Sequence, residues 1–122
     1  MRILLFLFLV ISCSKELPNY DPIEFREMAR KGDPNMTVKV PKNLSEQLVD
    51  CNDYTPPCRY GLIVTVHNVE MRPLYYDDQK KALKAAKRIR GYVARNWVLD
   101  DVTGEPVLER FVKKHLKAVK AE

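Results

Sequence analysis

Few side chains in this sequence could do chemistry, and their spacing limits what that chemistry is. There are two histidines, His67 and His115, and two adjacent acidic pairs, Asp77-Asp78 and Asp100-Asp101. His115 falls on the apolar side of a periodic segment near the C-terminus. His67 shares an alternating apolar face with Ile63, Thr65 and Val69. If the histidines converge, they could sense pH or contribute to a metal site. No third ligand is placed by the sequence, and combining them with Cys51 and Cys58 matches no common zinc-finger or ribbon spacing. Neighbouring aspartates on one segment rarely converge on a single reacting atom. Helix capping accounts for Asp77-Asp78 and loop polarity for Asp100-Asp101. No serine sits in a Gly-x-Ser-x-Gly elbow, and no glycine-rich loop cradles a phosphate.

Charge is the more informative property. The formal net charge is +5, and it is unevenly spread. Residues 13–60 carry seven basic and eight acidic side chains, whereas residues 61–122 carry thirteen and eight. Within Gln79 to Arg90, Lys80, Lys81, Lys84, Lys87 and Arg88 fall on one side of a helical projection, with Arg90 at its boundary and Arg95 just beyond. Ala82, Leu83, Ala85, Ala86 and Ile89 fall on the other. No acidic residue lies between Gln79 and Asn96, so these cations have no partners within their own helix. Such a face suits an anionic surface: an envelope polymer, lipid headgroups or an acidic protein.

The N-terminus assigns a compartment. Arg2 precedes an unbroken apolar run from Ile3 to Ile11, too short to span a bilayer as a helix. It ends in Val10-Ile11-Ser12-Cys13, which resembles the lipobox of bacterial lipoproteins. The resemblance implies cleavage before Cys13, which becomes an acylated (palmitate-class) N-terminus. It divides the chain into a signal peptide at 1–12, a lipidated tether at 13–20 and a domain at 21–122. Ser14 rather than aspartate after the cysteine implies, by the enterobacterial rule, the outer membrane facing the periplasm over the inner membrane. The export that this resemblance implies makes nucleic acid a poor partner for the basic helix.

With Cys13 assigned to lipid, Cys51 and Cys58 remain as one pair in a compartment that permits disulfides. The expected bridge closes a short, proline-stiffened loop and stabilises by ~2 kcal/mol on chain-entropy grounds.

The elements expected to position these groups make a small α+β domain. Asp21-Pro22-Ile23-Glu24 opens a helix, with Ile23, Phe25 and Met28 as its apolar stripe and Gly32 as its stop. Met36 to Val40 alternates as a short strand, and Asn43-Leu44-Ser45-Glu46 predicts a short helix to about Asp50. A central strand spans about 61–71, and Pro73 releases it from the sheet. Helices at about 79–90 and 105–119 pack on this sheet. Residues 92–99 lean toward strand on their Tyr/Val/Trp content and the Gly91 stop. The functional expectation is a non-enzymatic, lipid-anchored envelope module requiring no cofactor. The alternative is a small envelope hydrolase or metal-dependent enzyme using His67, His115 and Asp100-Asp101.

Overall fold

The computed structural model describes residues 17–39, 42, 43 and 45–122. The expected signal peptide at 1–12, the expected lipidation site Cys13 and the first residues of the expected tether fall outside these residues. Within them the protein is a small α+β domain with three helices and a seven-stranded antiparallel sheet.

The helices begin where the sequence places their caps. Helix α1 spans Pro22–Gly32, and its capping box is complete. Asp21 accepts from the Glu24 amide at 2.8 Å, and the Glu24 carboxylate accepts from the Asp21 amide at 3.4 Å. A cap of this kind contributes ~1 kcal/mol. Phe25 and Ala29, one turn apart, form the buried face. Ile23 lies across the helix and is exposed, contrary to its expected place in the stripe. Helix α2 spans Gln79–Ile89 with Asp78 accepting from the Lys80 amide at 2.7 Å. It ends at Arg90 in the left-handed region, one residue before the expected glycine. Helix α3 spans Pro106–His115, capped by Glu105.

The last helix is shorter than its apolar periodicity suggests. Lys117 adopts φ 57°, the Ala118 amide bonds back to the Val112 carbonyl, and Val119–Lys120 becomes a strand. Leu116 and Ala118 stay buried in the core that α3 covers, but Val119 extends the α3 stripe in sequence and not in space. A local pattern cannot register the gain from pairing the final strand with the edge of the sheet.

The strands are β1 (Thr37–Val38), β2 (Tyr60–Gly61), β3 (Val64–Val66), β4 (Val69–Tyr75), β5 (Tyr92–Ala94), β6 (Trp97–Asp100) and β7 (Val119–Lys120). Their order is β1-β3-β4-β6-β5-β7, with β2 also paired to β4. The segment 61–71 is thus not one strand. It reverses at His67-Asn68, both at positive φ (49° and 66°), the backbone of a tight two-residue hairpin turn. Val64 pairs with Met71 and Val66 with Val69, so the apolar face moves from even to odd positions across the turn. The same parity change explains residues 92–99. They form the β5–β6 hairpin, with Ala94 opposite Trp97 and Arg95 at φ 56° in the turn.

Pro73 remains within β4 instead of ending it. Its carbonyl accepts from the Leu62 amide, so the side lacking an N–H faces Leu62-Ile63, where the ladder between β2 and β3 is interrupted. A proline is tolerated where no ladder bond is required of it. The helix expected after Asn43 is also absent among the described residues. Asn43 instead accepts from the Ser45 amide at 3.1 Å, an Asx turn that competes with helix formation. A short 3₁₀ turn at Cys51–Asp53 follows.

Helices α1 and α3 cover one face of the sheet, and α2 with the disulfide-bearing segment covers the other. Tyr92, Ala94, Trp97 and Leu99 point to the first core, while Leu74, Val93 and Val98 point to the second with Ala82, Ala85 and Ala86. The Phe25 ring stacks on Trp97 at 4.1 Å, and Tyr75 meets Trp97 edge-on at 5.1 Å. Aromatic pairs of these geometries add ~0.5–1.5 kcal/mol to their burial. The Cys51–Cys58 disulfide is present, with Cα atoms 4.9 Å apart. Tyr54, inside its loop, turns inward and is buried.

Candidate functional site

The two histidines do approach each other, through Phe111. Its ring lies 5.7 Å from His67 and 5.1 Å from His115. They do not share the aliphatic surroundings expected for them. His67 is exposed on the β3–β4 turn, not on a strand face, because the left-handed turn takes it out of the pleat. His115 is half-buried at the end of α3. The carboxylate next to His67 is Asp33, 3.9 Å from its Nδ1, which the sequence did not single out. Asp33 is buried and accepts from the His67 amide at 2.8 Å and the Asn35 amide at 3.0 Å. The hydrogen bond from the His67 amide holds its carboxyl below the ordinary carboxylate range, against the opposing effect of burial. Its role is to fix two turns. No group of three or more His, Cys, Asp or Glu side chains could hold a metal ion among the described residues.

Asp100 and Asp101 are occupied elsewhere. The Tyr54 hydroxyl donates to Asp100 at 2.5 Å, and the Arg72 guanidinium lies 3.3 Å from Asp101. Burial, reinforced by the Asp100 carboxylate, pushes the Tyr54 hydroxyl well above its ordinary pKa. These contacts tie the disulfide loop to the end of β6. Asp77 pairs with Arg59 at 3.0 Å, and Asp78 caps α2. The acidic pairs are therefore structural, and neither lines the depression bounded by His67, Phe111 and His115.

The cationic face of α2 forms as expected. Lys80, Lys81, Lys84, Lys87, Arg88 and Arg90 are all exposed, and none forms a salt bridge among the described residues. Arg95 is different. It donates to the Pro18 carbonyl at 2.6 Å, and its guanidinium lies 4.7 Å from the centre of the Tyr20 ring. It serves as a clasp for the chain approaching α1 and is only half-exposed. The same segment is held by Gln79, which donates to the Leu17 carbonyl at 2.6 Å. The Trp97 indole N–H donates to the Tyr20 carbonyl at 2.9 Å. Residues 17–20, expected as tether, are thus docked on the domain.

Two cations that follow the end of α3 join the α2 face through tertiary structure. Lys117 and Lys120 lie on β7 or just before it, and β7 runs along β5 beside α2. Lys80 and Leu83 share one depression with Lys117 and Val119. Lys87 and Arg90 share the next with Lys120 and Glu122. No sequence signal connects these positions, because the strand that brings them together looks like a continuation of α3. Among the described residues, no helix is long and apolar enough to cross a membrane. Comparison of the chain with protein-family models, curated proteins and solved structures finds no match in any of the three.

Proposed function

We propose that this protein is a membrane-anchored lipoprotein of the bacterial cell envelope and that its domain is a non-enzymatic binding module. The observation that carries the binding role is the row of six exposed cations from Lys80 to Arg90 on α2 and its C-cap, none in a salt bridge among the described residues. Uncompensated charges on a rigid helix attract a polyanion additively and over a Debye length, ~8–10 Å at 0.1–0.15 M salt. The partner classes are an anionic envelope polymer, lipid headgroups or an acidic envelope protein. The lipobox at Val10-Ile11-Ser12-Cys13 supports the anchor, the signal peptide and an envelope location, with the outer membrane favoured by Ser14.

An envelope enzyme is less well supported by the geometry. The residues proposed for it are divided between His67–Phe111–His115 and the separate Tyr54–Asp100 and Arg72–Asp101 contacts.

Two measurements test the proposal. Intact-mass analysis of membrane-extracted protein should show loss of residues 1–12 and acylation at Cys13, abolished by Cys13→Ser. An unmodified Met1 N-terminus overturns the anchor. Retention on immobilised lipopolysaccharide and on phosphatidylglycerol vesicles should weaken by ~tenfold or more when Lys80, Lys84 and Lys87 are changed to Glu. Undiminished retention overturns the cationic face.

A further inference from the structure

The short stretch of sequence between Cys13 and Leu17 selects among these anionic partners. Five large apolar side chains are exposed among the described residues, and three of them line one shallow depression: Leu17 (60% exposed), Leu83 (41%) and Val119 (62%). They come from the N-terminal segment, α2 and β7, and the sequence placed Leu83 and Val119 on buried faces. Val93 forms the floor, and Lys80 and Lys117 stand at the rim. The cationic row continues along the seam between α2 and β7 through Lys87, Arg90 and Lys120. Glu122 is the one acidic side chain lining that second depression.

We infer that this surface is the face on which the domain rests against an anionic lipid bilayer, its apolar side chains entering the headgroup region and its lysines pairing with lipid phosphates. The inference rests on the lipoprotein reading and names its partner. Leu17 is four residues after Cys13. At ~3.3–3.6 Å per extended residue, an acyl anchor at Cys13 lies no more than about 14 Å from Leu17. A domain of this size is roughly 30 Å across, so this tether cannot hold it away from the membrane or carry the anchor to its far side. Leu17 is fixed to the domain by Gln79 and, one residue on, by Arg95 at Pro18. The anchor therefore dictates which surface meets the bilayer, and that surface combines exposed apolar groups with a cationic rim, as interfacial binding requires.

The test uses full-length, membrane-extracted protein in vesicles containing brominated phosphatidylglycerol, with intact mass read on the same sample. Trp97 is fully buried and supplies a constant background. The Leu83→Trp variant should be quenched about twofold or more. The Arg110→Trp variant, altered on α3 across the sheet, should not be. Adding Lys80→Glu and Lys117→Glu to Leu83→Trp should abolish the quenching, and brominated zwitterionic vesicles should reduce it. Equal quenching at positions 83 and 110 in acylated protein overturns the bilayer face and leaves the anchor intact. Quenching at position 83 with Cys13 unmodified upholds the face and removes the anchor. Quenching at 83 that charge reversal leaves unchanged overturns the role given to the lysines.

Discussion

Asn96 binds Tyr20 across 76 residues of sequence: its side-chain oxygen accepts from the Tyr20 amide at 2.8 Å. Its side-chain NH₂ donates to the Tyr76 carbonyl at 2.9 Å, and the residue is fully buried. One amide thus joins the N-terminal segment, the end of β4 and the β5–β6 turn. It uses both a donor and an acceptor, which a hydroxyl or a carboxylate could not do with the same geometry. The clasp also fixes the position of Leu17, on which the proposed orientation at a bilayer depends.

Replacing Asn96 by alanine leaves two buried backbone groups without partners. At ~1–3 kcal/mol for each unsatisfied group, Asn96→Ala should destabilise the domain by about 2–6 kcal/mol. Urea unfolding followed by Trp97 fluorescence measures this. Asn96→Asp should recover only part of the loss, because its carboxylate accepts from Tyr20 but repels the Tyr76 carbonyl. A change below ~0.5 kcal/mol in Asn96→Ala, the range of ordinary surface substitutions, is incompatible with the clasp.

Helices α1 and α3 meet at Gly32. A β-carbon there would lie 2.5 Å from the His115 ring and 2.7 Å from Phe111. Alanine is the better helix former by ~1 kcal/mol, yet overpacking costs ~1–3 kcal/mol. Gly32→Ala should therefore lower stability by roughly 1 kcal/mol net. In a His115→Ala background the same change should become neutral or stabilising, apart from the residual contact with Phe111. A double-mutant cycle reads the coupling directly. Additive effects would show that His115 moves aside without cost.

Asp33 gives stability a defined acid limb. Its folded-state pKa is lowered, first by the hydrogen bond from the His67 amide. A depressed carboxylate contributes stability that is present above its unfolded value, 3.8, and is lost as pH falls through the folded value. The stability difference between wild type and Asp33→Asn should shrink as pH falls from the unfolded value, 3.8, toward the folded one. Unfolding curves collected across this range check the sign. A difference that grows on acidification contradicts the assignment.

Much of the local structure was legible in the sequence because its causes are local. The Asp21/Glu24 capping box, a cap at Asp77 or Asp78 and the cation-alanine division of α2 each depend on residues within one or two turns. The Cys51–Cys58 bridge is legible because Cys51 and Cys58 lie close in sequence and are the pair left when Cys13 is read as an acylation site. The errors arose where two segments read as one. His67-Asn68 lacks the glycine that commonly marks a tight hairpin turn, so β3 and β4 looked like a single strand. Residues 116–119 maintain the α3 stripe, so β7 looked like helix. In each case pairing energy from a distant strand outweighed the local pattern.

The sequence by itself determined the α+β class, the starts of all three helices, the paired cysteines and the run of unpaired cations on α2. These properties follow from short-range backbone chemistry and from side-chain type. Only the tertiary structure decided that Arg95 clasps Pro18 and Tyr20 and that Lys117 and Lys120 extend the cationic seam. It also brought Leu17, Leu83 and Val119 to one exposed depression. Their meeting depends on the β5–β7 register and on the seat of residues 17–20 against Asn96 and Trp97, contacts between segments about 20 to 80 residues apart. Periodicity can assign a residue to a face, but packing decides whether another element covers that face.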